Sequence, residues 1–235
     1  MTSGYVSEGR STADPVHRNP VHFLHIRKTG GTAVIEALRP VASRYALVLH
    51  DHATKLADIP DDHLVFFFVR HPSARFVSGF YSRLRQGLPR HHYPWNEAET
   101  EAFREFRMAN DLAEALSSTN KEISDRAMKA MKGISHLRNT YQDWFSGTQE
   151  LDQRQNSIVL LGLQEKLDAD FERLKKLLDL PETVSLPCDD TLAHRTPAGF
   201  DRCLSSRAQR NLLRWYSDDV RFYEHCLRLR AATGN

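Results

Sequence analysis

Cysteine is scarce in this chain: three in 235 residues, Cys188, Cys203 and Cys226. The number is odd, the spacing is wide and there is no CxxC pair. That argues against a disulfide framework or a cysteine-built zinc site and fits a reducing compartment. Long apolar runs are missing too. The longest, "LVFFFV" and "IVLLGL", fall far short of the roughly 20 residues a membrane-spanning helix needs. The opening "MTSGYVSEGRSTADPVHRNP" lacks the apolar core of a secretory signal. Residues 1–19 therefore read as a flexible polar tail before a single domain over 20–235, and the location expected is cytoplasmic. An excess of one charge is absent as well: 32 Lys and Arg against 30 Asp and Glu leave a net +2. No global field invites nucleic acid, so any anion site must come from a local cluster. There are no internal repeats and no linker between two cores.

The balance of 40% hydrophobic and 26% charged residues is that of an ordinary globular protein. Residues 21–26, 45–50, 63–70 and 157–163 read as strands. The run "HLVFFFVR" at 63–70 is nearly continuous and apolar, as in a parallel-sheet strand buried on both faces. Helices are expected from Thr32 to Leu38, ended by Pro40, and from Pro72, with Phe76, Val77, Phe80, Tyr81 and Leu84 as one apolar stripe. Residues 101–146 read as mostly helical. The segment "DADFERLKKLLDL" reads as an amphipathic helix with Asp168 at its N-cap, and "SSRAQRNLLRWYSDDVRFYEHCLRLR" as one long closing helix. Residues 87–100 and 181–200 read as loops. Strand alternating with helix indicates an α/β core.

The first strand runs into "HIRKTGGTAV". A glycine-rich turn between strand and helix is suited to an anion, because free backbone N–H groups and the helix dipole point out of it. Arg27 and Lys28 add full charges there. The nucleoside-triphosphate version of this loop is G-x-x-x-x-G-K-[ST], but here Lys28 precedes Gly30 and Gly31, so the loop is too short to wrap a β-phosphate. The buried strand ends in Arg70 and His71, where a metal-assisted phosphotransferase wants a carboxylate. Both departures favour a metal-free site for a nucleotide carrying a second phosphate elsewhere.

That second phosphate has a candidate corner in "VRHPSARFVSGFYSRLRQG". Arg70 ends a strand, and open α/β sheets bind ligands at the carboxyl ends of their strands. Arg70 and the Lys28 turn therefore belong on one edge, with Ser78 as an added hydroxyl donor. Arg75 and Arg83 read as ordinary solvated charges on the outer helix face.

Together these motifs resemble the family-2 sulfotransferases. "HIRKTGGT" is similar to their HIPKTGGT motif and "VRHPSARFVSGFY" to V-R-D-P-x-x-R-x-x-S-x-[FY]-Y. "LLGLQEKLDADFERLKKLL" and "LRWYSDDVRFYEH" resemble their later segments, so the likeness spans most of 21–226. Arg27 stands where the family has proline, and His71 where it has aspartate. The resemblance implies a P-loop-NTPase-like three-layer α/β fold, with a mainly parallel sheet between helices. It also implies sulfuryl transfer from 3′-phosphoadenosine-5′-phosphosulfate (PAPS) without a metal. By position, Arg27, Lys28 and the Thr29, Gly30, Gly31, Thr32 turn would hold the 5′-phosphosulfate, and Arg70 and Ser78 the 3′-phosphate. Arg195, in the loop "LAHRTPAG", would close over the 3′ side.

Lys28 is the candidate to stabilise charge on the leaving phosphate oxygen. The acceptor hydroxyl needs a base near neutral pH, for which histidine is the usual choice. "LVLHDHATKL" puts His50 and His52 just past the second strand, and the 2-O-sulfotransferase members have a His-x-His there whose second member is the base. His52 is thus the leading candidate, His50 its supporter and His136 the alternative, with Asp51 or no single base also open. His25 reads as a packed strand histidine. Arg90, His91, His92, Tyr93 and Trp95 form a loop that suits a sugar or anionic acceptor, or a plain surface. The acceptor itself, a small molecule or a glycan, is not written in the sequence, although near-neutral charge favours a lightly charged one. A homo-oligomer is compatible with the chain. Competing readings are a nucleotide kinase-like enzyme and a non-catalytic nucleotide-binding protein of the same fold.

Overall fold

A computed structural model describes residues 19–193, 195–197 and 199–232. The expected tail lies outside these residues apart from Asn19. Four parallel strands, β1 (Val21–Phe23), β2 (Leu47–Leu49), β3 (Leu64–Val69) and β4 (Ile158–Leu163), form one sheet in the order β2-β1-β3-β4. Val21 pairs with Leu47 on one side and Leu64 on the other. β3 pairs with β4 through a register irregularity between Val65 and Phe66. Parallel neighbours need crossovers. α1 (Gly31–Leu38) links β1 to β2, and α2 (Pro72–Leu84) opens the long excursion from β3 to β4.

The sheet is covered on both faces. Along β3, Val65, Phe67 and Val69 point into one cluster, with Tyr141, Trp144 and Phe222. Phe66 and Phe68 point into the other, with Val34 and Leu38 of α1 and with Phe171 and Leu174 of α7 (Leu167–Leu178). These five of the six β3 side chains are fully buried, each worth roughly 1.5–3 kcal/mol of apolar transfer. The unbroken apolar run is therefore the signature of the central strand of a three-layer α/β fold. A third, all-helical cluster gathers the α2 stripe of Phe76, Val77, Phe80 and Tyr81. It packs against α3 (Glu97–Glu105), α4 (Ala109–Ala115), α5 (Lys121–Gly133) and α8 (Ser206–Trp215). No helix of the described residues is long and apolar enough to cross a membrane.

Several expectations need correction. The regular parts of β1 and β2 span three residues each. The stretch 101–146 is three separate helices and a 3-10 turn at Tyr141–Asp143, with α3 starting four residues early because Asn96 and Glu99 form a capping box. The closing helix breaks after Trp215, where Tyr216 leaves helical geometry, so that α8 and α9 (Ser217–Ala232) are distinct. α7 starts at Leu167 with Lys166 at its N-cap and no side-chain cap, which puts Asp168 inside the first turn. Arg75 and Arg83 are not solvated: each is buried and paired, Arg75 with Asp219 of α9 and Arg83 with Glu99 of α3. A buried guanidinium without a carboxylate costs several kcal/mol, so these pairs bolt α2 to its neighbours.

Candidate active site

An open cavity of about 1230 Å³ lies at the carboxyl edge of the sheet. Three strands contribute to it, each from its own C-terminal end. His25, Arg27 and Lys28 follow β1, His52 follows β2, and Arg70 and Ser78 follow β3.

The β1–α1 turn is built for close approach. Lys28 has φ 68° and Gly30 φ 89°, both left-handed. For a lysine that conformation costs on the order of 1 kcal/mol, a strain that proteins tend to hold at functional positions. A Cβ on Gly31 would lie 2.2 Å from the His25 ring, so only glycine lets α1 start against that ring. The Thr29 hydroxyl donates to the Ile26 carbonyl at 2.9 Å and is buried. It locks the turn, leaving Thr32 and the glycines on the cavity wall.

The two cationic corners meet. Arg70 donates from Nη1 to the Lys28 carbonyl oxygen at 3.3 Å. Neither residue has a carboxylate partner among the described residues, and Arg70 Nε is buried without any hydrogen-bond partner. Burial, followed by the charges of Arg85, Arg70, Arg27 and Arg83, lowers the Lys28 ammonium to about 7. Burial also lowers Arg70. His71 keeps the capping role open to an aspartate: its Nδ1 accepts from the Ser73 N–H at 3.3 Å at the start of α2.

His52 lines the cavity beside this turn. Its Nδ1 lies 2.9 Å from the His25 carbonyl oxygen, and the two rings pack with centroids 3.8 Å apart. A carbonyl only accepts, so Nδ1 carries the proton and Nε2 of the neutral ring keeps its lone pair. Burial lowers His52 to about 4 despite the bond to His25, with Arg27 and Lys28 adding to the shift. His25 is pushed to about 2 by burial and by His52. His136 also lines the cavity. It lies well below its ordinary value through burial and the charges of Lys28 and Arg27, and its Nδ1 is buried and unpartnered.

His50 lies elsewhere. It is absent from the cavity wall and hydrogen-bonds through Nε2 to His22 Nδ1 at 2.8 Å, while His22 Nε2 reaches His63 Nδ1 at 2.9 Å. Both His22 nitrogens thus have a ring partner, and His50 Nδ1 pairs with the Thr54 hydroxyl at 3.3 Å. Among the described residues no His, Cys, Asp or Glu group forms a metal site. Asp51 accepts from the Ala53 N–H and orients no ring. Arg195 reaches the cavity wall, but its guanidinium is bound to Asp190 at 2.9 Å and to the Cys188 and Pro187 carbonyls of its own loop. In the 87–96 loop Arg90, His91 and Tyr93 line the cavity, whereas Trp95 donates to the Arg83 carbonyl and packs on Phe103. Arg138 and Arg202 also line the cavity. Neither belongs to a local motif, so proximity in space alone marks them.

The cavity thus lies at the strand edge of an α/β fold, and its β1 turn and β3 end carry cations without a carboxylate partner among the described residues. A model of the sulfotransferase family matches residues 14–225, and the chain belongs to that family. No curated protein and no solved structure is a significant match to it.

Proposed function

We propose that the protein moves a sulfuryl group from PAPS to an acceptor hydroxyl, with Lys28 and Arg70 holding the donor and His52 as base. One observation carries the reading: Lys28 and Arg70 touch at the cavity edge without a carboxylate for either charge. Phosphate oxygens are suited to satisfy both, together with the buried Arg70 Nε. Ser78, Thr32 and the Gly30–Gly31 backbone add neutral donors on the same wall.

PAPS, when bound, supplies a sulfuryl group whose bond to the 5′-phosphate oxygen breaks as the bond to the acceptor oxygen forms. The Lys28 ammonium offsets the charge that grows on the departing oxygen. His52 Nε2 takes the acceptor proton, and the resulting imidazolium keeps its Nδ1–H bond to the His25 carbonyl. The products are a sulfate ester and adenosine 3′,5′-bisphosphate. Arg27 and Arg138, on the cavity wall without ion pairs among the described residues, favour a small-molecule or glycan acceptor that carries an acidic substituent.

Thermal unfolding tests the reading. Adenosine 3′,5′-bisphosphate at a hundred times Kd, with no metal present, should raise Tm by about 5–10 °C. ATP with Mg²⁺ should do markedly less. No shift with the bisphosphate, or a larger one with ATP and Mg²⁺, overturns it.

A further inference from the structure

We propose that Arg85, which neither the family motifs nor the spacing of the sequence marks, is a second donor-binding guanidinium beside Arg70. The inference rests on the proposed use of an adenosine phosphosulfate donor.

The arginines along α2 divide into two kinds. Arg75 and Arg83 are buried and each has a carboxylate, Asp219 and Glu99 respectively. Arg70, just before the helix, and Arg85, at its C-cap, have none among the described residues. Each makes a single long contact to a backbone carbonyl, Arg70 to Lys28 at 3.3 Å and Arg85 to Arg195 at 3.4 Å. Each also buries an Nε with no partner. Among the described residues only three side-chain atoms are buried and unpartnered, and the third, His136 Nδ1, belongs to a residue of the cavity wall. A fold that supplies carboxylates to Arg75 and Arg83 and none to the arginines at the two ends of α2 leaves those two for an external anion.

Arg85 is not itself on the cavity wall, but its Nη1 donates to the carbonyl of Arg195, which is. Arg85 follows Ser78 by seven residues, two helical turns on, which puts both on one face of α2. The charge of Arg85 is the foremost of the four cations that oppose protonation of Lys28. Arg202, on the cavity wall, opposes both Arg70 and Arg85. Lys28, Arg70 and Arg202 line the cavity without an ion pair among the described residues, Glu165 being the carboxylate whose charge supports Arg70. Arg195's own guanidinium is spent on Asp190.

Calorimetric titration of the full chain with adenosine 3′,5′-bisphosphate tests the proposal in wild type, Arg85→Ala, Arg85→Lys and the exposed control Arg44→Ala. Arg85→Ala should weaken binding by about tenfold or more. Arg85→Lys should fall between Ala and wild type, and Arg44→Ala should match wild type. Removing Arg85 should also move the pH at which affinity declines upwards, because Lys28 then holds its proton more easily. That readout does not follow from a merely structural role. Circular dichroism and Tm identify a variant that fails to fold, and Arg85→Lys then carries the test. If wild type binds and both Arg85 variants bind equally well, the Arg85 assignment alone falls. If wild type itself ignores the bisphosphate, the donor reading falls and this inference with it.

Discussion

His52 gives its Nδ1 proton to the carbonyl oxygen of His25 at 2.9 Å, and the two rings pack 3.8 Å apart. The bond fixes the tautomer and leaves Nε2 as the basic nitrogen. His52→Ala should lower kcat by about 10²–10⁴-fold with little change in bisphosphate affinity. The neutral ring is the base, so activity should fall as pH drops through the His52 pKa. That pKa is about 4 in the empty protein, held down by burial and by Arg27 and Lys28. An anionic donor offsets those charges, so the acid limb in donor-saturated enzyme should lie above pH 4. A His52→Ala enzyme with wild-type kcat would reassign the base, with His136 next in line.

Lys28 sits at about 7 because burial and four arginines oppose its charge. An anion restores the ammonium, so bisphosphate binding above pH 7 should take up a proton. Affinity should be greatest below pH 7 and weaken as pH rises through 7. Titration at pH 8 in two buffers of different ionisation enthalpy measures the uptake, which Lys28→Met should abolish. The same variant should lose about 10²-fold or more in kcat. Binding without proton uptake in wild type would show that Lys28 does not face the anion.

Gly31→Ala would place a methyl 2.2 Å from Cδ2 and 2.5 Å from Nε2 of the His25 ring. The ring must move, and the packing that holds His52 moves with it. The expected loss of stability is about 1–3 kcal/mol, with a fall in kcat exceeding any change in bisphosphate affinity. Denaturant melts and steady-state kinetics decide this, and a variant with normal kcat would mean that His25 does not position His52.

Stability should decline on mild acidification. His25 at about 2, His52 at about 4 and His136 well below its ordinary value all bind protons less readily in the folded chain than in the unfolded one, where histidine titrates near 6.5. Below that pH the unfolded state takes up protons that the folded state refuses. The stability is therefore fully present above about 6.5 and is lost as pH falls towards 4. Tm should be lower at pH 5 than at pH 7. Equal values would place these rings in contact with solvent.

What could be read along the chain was whatever depends on near neighbours. "LVFFFV" declared a strand buried on both faces, because two apolar faces leave no polar alternation. "RKTGG" declared a tight cationic turn between strand and helix, and the α2 stripe emerged at the spacing of a helix. Local signals failed where a distant partner decides. Arg75 and Arg83 look like solvated charges until Asp219, 144 residues away from Arg75, and Glu99 are brought beside them. His50 and His52, two residues apart, are told apart along the chain only by the family resemblance, whereas the fold hands one ring to His22 and turns the other to the cavity.

The sequence by itself determined the class of fold, the glycine turn and the two cationic corners, since hydrophobic period, backbone freedom and formal charge are properties of a residue and its immediate neighbours. Only the tertiary structure decided which cations stay without a counter-ion and which histidine keeps a free nitrogen. Pairing and burial depend on groups far apart in the chain, and the energy of a buried charge is set by whatever folding places next to it.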